Sequence, residues 1–225
     1  MWIVLVWIVS TICYIPLLFD NLGYAVPSIL LQMKYLFVEV PIIFSLICIR
    51  KHTSIKGWLG SLFARKIRFE CWVICGVLAL CGIVCTSIFS RAALSEQSSL
   101  FGALYLFLMA TLEEIAWRGF RLDSMLKKTE KYAIWIVSLE WAIWHIPMWM
   151  IRNSVGLDEI LFWIVYTVFI GNILGRCMVR YKNIIVPVLL HTIFNLCYLL
   201  QIKVNALVAA CILIGIIIYE EVEVR

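Results

Sequence analysis

Apolar residues run along this chain in blocks too long for the face of a soluble helix and too unbroken for half-buried strands. A helix that spans a bilayer needs about 20 mostly apolar residues. Blocks of that kind are predicted at 2–19, 28–49, 71–89, 99–120, 132–151, 160–179, 184–202 and 204–219. The pattern predicts an all-α, polytopic membrane fold of about eight transmembrane helices, organised as one integral membrane domain over 1–225. Only Gln201, Lys203 and Asn205 interrupt the last two blocks, which predicts a tight turn or a short tilted segment there. Pro16, Pro27, Pro41, Pro147 and Pro187 lie in or beside the blocks, where each removes a backbone donor and kinks a helix or marks a re-entrant turn.

Composition agrees with the pattern. Of 225 residues, 64% are hydrophobic and 15% charged, against roughly 45–50% and 25% in an average soluble domain. Lipid must therefore solvate most of the surface, and a soluble enzyme, a disordered regulator and a nucleic-acid binder are excluded. Cys71, Cys75, Cys81 and Cys85 fall in one uncharged stretch and no CxxC pair exists, so the cysteines are expected to act as small hydrophobes. The chain starts apolar, with no basic stretch ahead of the first block, which predicts no removable signal peptide.

Charge sets the expected orientation, because cytoplasmic loops retain Lys and Arg. Arg50, Lys51, Lys56, Arg65, Lys66 and Arg68 follow the second block. Arg121, Lys127, Lys128 and Lys131 follow the fourth, and Arg176, Arg180 and Lys182 the sixth. The opposite loops hold Arg91, Arg152 and Lys203. A multi-pass protein of the cell membrane with both termini in the cytoplasm is expected. The first basic loop also suits anionic headgroups, although topology alone is the simpler reason for it.

Ionisable groups inside spans are costly and mark function by default. The fourth block holds Glu113, Glu114 and Arg118, the fifth His145, and the seventh His191 with Asn195. Glu114 and Arg118 stand at i,i+4 with the acid first, the favoured order for an ion pair on an α-helix. Glu113 points to another part of that helix and is a candidate general base. His191 and Asn195 share one helix stripe and suit a developing oxyanion. Trp141 lies one turn before His145. Two chemistries fit the set. Glu113 and His145 polarise a water for acyl hydrolysis, most plausibly of a peptide, or Glu113, His145 and His191 bind Zn²⁺. No G-x-S-x-G elbow supports a serine mechanism.

Glu113-Glu114-Ile-Ala-Trp-Arg118 matches EExxxR, Trp141-Ala-Ile-Trp-His145 matches FxxxH and His191-Thr-Ile-Phe-Asn195 matches HxxxN. In this order on separate spans, over about 99–200, they resemble the type II CAAX prenyl endopeptidases of the CPBP (CAAX protease and bacteriocin-processing, or Abi) family. The resemblance implies an intramembrane endopeptidase. Glu113 would activate water with His145, His191 and Asn195 would hold the oxyanion, and Glu114, Arg118 and Trp141 would support them. No cofactor is required by that scheme, with Zn²⁺ the alternative. Trp141 departs from the pattern, which has Phe there, and this bears on substrate fit more than on chemistry. The implied partners are the bilayer and a membrane-associated peptide or protein, with roles in bacteriocin or peptide maturation, export or self-immunity. The competing reading is a non-catalytic immunity or scaffold protein of the same fold. A proton-coupled transporter is a third, disfavoured by the lack of an internal repeat.

Glu39 is expected to be structural, meeting Lys34 or lining a cavity. Glu140 lies on another helix face than His145 and is left out of the site. Gly171-x-x-x-Gly175 predicts a close helix contact.

Overall fold

The computed structural model describes residues 1–67, 100–152 and 156–199, with isolated residues between 69 and 76 and at 214–215. Helices α1 (Trp2–Ile12) and α2 (Ile15–Asn21) form the first apolar block. Pro16 explains the break between them, since it has no N–H to bond back across the junction. The second block is α3 (Ser28–Leu31), a 3₁₀ stretch (Gln32–Val38) and α4 (Glu39–Arg50). The basic segment that follows contains a helix, α5 (Ile55–Leu62).

After the next described stretch begins, α6 (Leu100–Glu114) passes into a π-helix (Ile115–Leu122) and the short α7 (Asp123–Leu126). Then come α8 (Ala133–Trp144), a second π segment (Met148–Arg152), α9 (Leu157–Tyr181) and α10 (Ile185–Leu199). Among the described residues there is no strand.

Four helical stretches are long and apolar enough to cross a membrane: Trp2–Asn21, Ser28–Arg50, Ala133–Arg152 and Glu159–Tyr181. The protein is therefore all-α and multi-pass. Of the other four expected spans, those at 71–89 and 204–219 fall almost wholly outside the described residues. The span at 99–120 is α6 with its π continuation, whose four charged side chains break the apolar run. The span at 184–202 is α10, whose apolar part, Ile185–Leu196, is shorter. Eight spans thus remain the sequence expectation rather than an observed count.

The chain divides into two compact units. One consists of Met1–Trp58 and Ile115–Asn172, the other of Leu59–Glu114 and Ile173–Arg225.

In the first unit, α1 packs on α4 and α8. Indole donors join these helices: Trp144 Nε1 donates to Ser10 Oγ at 2.9 Å and Trp7 Nε1 to the Ile143 carbonyl at 3.3 Å. Asn21 at the end of α2 donates to the Ile151 carbonyl at 2.8 Å, which holds the second π segment. The first π segment packs on α4 and α8, and its Trp117 is fully buried against Trp2 of α1 (5.3 Å between ring centroids) and Trp144 of α8 (5.6 Å). Gly171 on α9 meets α8 directly. A Cβ there would lie 3.0 Å from Ser138 Cβ and 3.1 Å from Trp141 Cε3, so this glycine is what permits the approach. The close contact expected of the small-residue motif is present at its first glycine.

In the second unit, α6 and α10 pack along one another. A tight turn at Lys182–Ile184 joins α9 to α10. The Ile184 amide donates to the Leu62 carbonyl at 2.9 Å, and the Asn183 side chain both donates to the Arg65 carbonyl and accepts from the Ile185 amide at 2.9 Å. Cys13, Cys48 and Cys177 carry no disulfide, and Cys13 and Cys177 are buried, as expected for cysteines used as hydrophobes.

Candidate active site

Glu113 and Glu114 end the α-helical part of α6, where they are 6% and 0% exposed. Their burial is physically expensive, and a partner on α10 offsets it for Glu114. His191 Nδ1 donates to Glu114 Oε1 at 2.9 Å, with both side chains buried. A carboxylate only accepts, so this bond assigns the Nδ1–H tautomer and fixes the ring's orientation. Nε2 then acts as a donor when the ring carries a second proton and as an acceptor when it does not. Asn195 follows one turn later on α10 and is half-buried. Four of the sequence-predicted residues, Glu113, Glu114, His191 and Asn195, thus stand on two helices that pack together.

The first unit holds the other three. His145 lies at the C-terminal end of α8, where its amide donates to the Ala142 carbonyl in a tightened last turn. Its Nδ1 donates to the Trp141 carbonyl at 2.7 Å, so the ring caps its own helix and again carries the proton on Nδ1. Aromatic rings surround it. Trp149 stacks at 5.5 Å and 15°, while Trp144 (4.7 Å) and Trp141 (5.0 Å) present edges. Phe37 stacks on Trp144 at 4.0 Å and touches His145 at 6.5 Å. None of Phe37, Trp144 and Trp149 was singled out from sequence. The density of tryptophan around the motif was the available signal.

Arg118 is 1% exposed. Its guanidinium sits 4.4 Å over the Trp141 ring, and Nη2 donates to the Gly171 carbonyl at 3.4 Å. The indole is thus held between Arg118, the His145 ring and the α-carbon of Gly171. Arg118 follows Glu114 into a π-helix, Ile115–Leu122, with i→i+5 bonding. π-helical turns are rare and concentrate at functional sites.

Two loop expectations need correction. The sequence places Arg121 in the loop after the fourth block. Instead Arg121 belongs to the π-helix and makes a bidentate ion pair with Glu140 of α8, with exposures of only 13% and 17%. The two residues are 19 apart in sequence, so no local spacing rule finds them. Arg180, likewise assigned to a loop, lies on the last turn of α9. As for metal, no three His, Cys, Asp or Glu side chains are grouped as ligands among the described residues.

The stretch of chain that carries these residues has known relatives. Residues 95–197 match the family model described as type II CAAX prenyl endopeptidase Rce1-like. The chain is also similar to CAAX prenyl protease 2 of Methanococcus maripaludis, 28% identical over 100 residues. That alignment covers 40% of this chain and 37% of the relative, so the match spans well under half of the curated protein. All three motifs fall inside the matched stretch, which is similar to the type II CAAX prenyl endopeptidase Rce1-like family.

Proposed function

We propose that this protein is an intramembrane endopeptidase that hydrolyses a peptide bond in a membrane-associated peptide or protein. The observation that carries the reading is the buried Glu114–His191 hydrogen bond, with Glu113 next to it in the chain and Asn195 one turn from the histidine. Two adjacent carboxylates and an imidazole in an apolar chain are expensive to bury, and a packing role needs only apolar side chains. The family match at 95–197 supports peptide hydrolysis over other uses of such a cluster.

In this reading Glu113 takes a proton from water as the water oxygen attacks the scissile carbonyl carbon. The carbonyl oxygen becomes an oxyanion that receives hydrogen bonds from Asn195 Nδ2 and from a doubly protonated His191 through Nε2. Glu113 then returns its proton to the departing amine as the C–N bond breaks, so protons and charge balance without a cofactor. Glu114 orients His191, and a charged partner can restrict a ring as effectively as direct contact with substrate. The family motif assigns His145 a part in water activation, and its Nδ1–H bond to the Trp141 carbonyl leaves Nε2 as the nitrogen suited to accept from water. The setting we propose is maturation, export or self-immunity of a bacteriocin or similar membrane-held peptide.

The test compares membrane and secreted peptides from cells expressing wild type or Glu113→Gln at matched levels. A product present only with wild type supports the proposal and identifies the substrate. Identical peptide profiles, with the same protective or signalling phenotype from both forms, would instead favour a non-catalytic immunity or scaffold protein.

A further inference from the structure

We propose that the turn between α9 and α10, together with the segment after α5, forms a binding site for the phosphate of an anionic phospholipid headgroup. Three hydrogen bonds bring these parts of the second unit together. Ile184 donates to Leu62, Asn183 donates to Arg65, and Asn183 accepts from Ile185, which locks the turn that makes the other two. Residues 59–67 and 173–199 contain Arg65, Lys66, Arg176, Arg180 and Lys182 and no acidic residue. Arg65, Lys66 and Lys182 are exposed, and they are fixed on backbone that the turn anchors.

Topology alone explains why each loop is basic. It does not explain why two basic loops from different parts of the chain are hydrogen-bonded into one surface, nor what stands at residue 182. Lys182 has φ of +49°, in the left-handed region, and its amide donates to the Met178 carbonyl at 2.9 Å to close α9. Glycine takes that helix-ending conformation without strain, and a lysine does so against its preference. The position thus carries a cation where the backbone asks for glycine. A backbone strained in this way points to a use for the side chain. The neighbouring α5 supplies an interfacial element. It presents Trp58 and Leu59, both half-buried, beside exposed Lys56, the pairing of aromatic and basic side chains found where a helix meets headgroups. A phosphodiester anion held by several fixed cations at the membrane surface matches this charge and place.

The strained position also provides a variant that separates charge from fold. The full-length protein in neutral detergent is titrated with short-chain phosphatidylglycerol or phosphatidylcholine at low and high salt, and lipid retention is read by native mass spectrometry alongside thermal unfolding. Phosphatidylglycerol is expected to bind and raise the melting temperature in a salt-sensitive way, while phosphatidylcholine does not. Lys182→Gly should melt at or above the wild-type temperature without lipid, yet bind phosphatidylglycerol about fivefold more weakly, the effect of one surface cation. Arg65→Gln with Lys66→Gln should weaken it about 25-fold on the same scale. Equal retention of the two lipids, or undiminished phosphatidylglycerol binding by Lys182→Gly, overturns the proposal. Inorganic phosphate is the control for source. If it matches the phosphatidylglycerol shift at equal concentration, the site takes free phosphate and the lipid assignment fails. None of these readouts depends on peptide cleavage.

Discussion

The two motif histidines are held in opposite ways. His191 is anchored by a buried carboxylate on a packed neighbouring helix. His145 is anchored by a carbonyl one turn back on its own helix and walled by Phe37, Trp141, Trp144 and Trp149. Both carry the proton on Nδ1, so both present Nε2 for chemistry, but they differ in what sets the ring. A partner that can bear charge couples His191 to the electrostatics of its unit. A neutral carbonyl and stacked rings give His145 its position. The difference teaches that a buried histidine can be aimed either by an ionic partner or by shape, and that the two are broken by different mutations.

The largest effect should come from the carboxylate that has no orienting task in this contrast. Glu113→Gln is nearly isosteric, and loss of a general base costs about 10²–10⁴-fold in rate. Product formation should vanish while melting in detergent stays near wild type. Undiminished turnover would remove Glu113 as the base.

Arg118→Ala attacks the shape-held side. It removes a guanidinium stacked on Trp141 and a bond to the Gly171 carbonyl, both fully buried. Losing a buried cation–π contact together with a charged hydrogen bond costs about 2–4 kcal/mol, so the yield of folded protein should fall with activity. Arg118→Lys should recover little, because an ammonium cannot reproduce the planar stack. Unchanged melting of Arg118→Ala would show that shape alone holds Trp141.

Glu114→Gln sharpens the charge-held side. The amide oxygen can still accept from His191 Nδ1, so orientation is kept and only the charge is lost. Weakening a charge-assisted bond to a neutral one should cost about 1–2 kcal/mol, read as reduced activity with little change in fold. Equal loss in Glu114→Gln and Glu114→Ala would mean that the charge, and not the hydrogen bond, is what His191 needs.

Gly171→Ala tests the packing behind Trp141. The added methyl meets Ser138 and Trp141 at 3.0–3.1 Å, and overpacking of this kind costs about 1–3 kcal/mol. Adding Trp141→Phe should recover only part of that, since Ser138 Cβ at 3.0 Å stays in place. Melting curves of the two single variants and the double give the coupling directly.

The smallest effect is expected at the Arg121–Glu140 pair. Glu140→Gln should cost about 1 kcal/mol at this partial exposure, and exchanging the two charges, Arg121→Glu with Glu140→Arg, should restore most of it. A charge swap as damaging as both single changes combined would deny the ion pair.

By itself the sequence determined the solvent and singled out the candidate polar residues. Long apolar blocks place four observed helices in lipid, and they fall within a few residues of where hydropathy puts them. The motif residues were visible for the same reason, because a polar group in such a block stands out against an apolar background. What it could not decide was rotation and depth. In a soluble helix the apolar stripe shows which face turns inward, but a bilayer leaves the lipid-facing and protein-facing sides equally apolar. Pairings that depend on facing therefore stayed hidden: Glu114 with His191 at a separation of 77 residues, Arg121 with Glu140, and Gly171 beneath Trp141. The helix itself also changes, from α to π geometry at Ile115, and no residue in that stretch announces it. Only the packing of α4 and α8 against that segment decided where those side chains went.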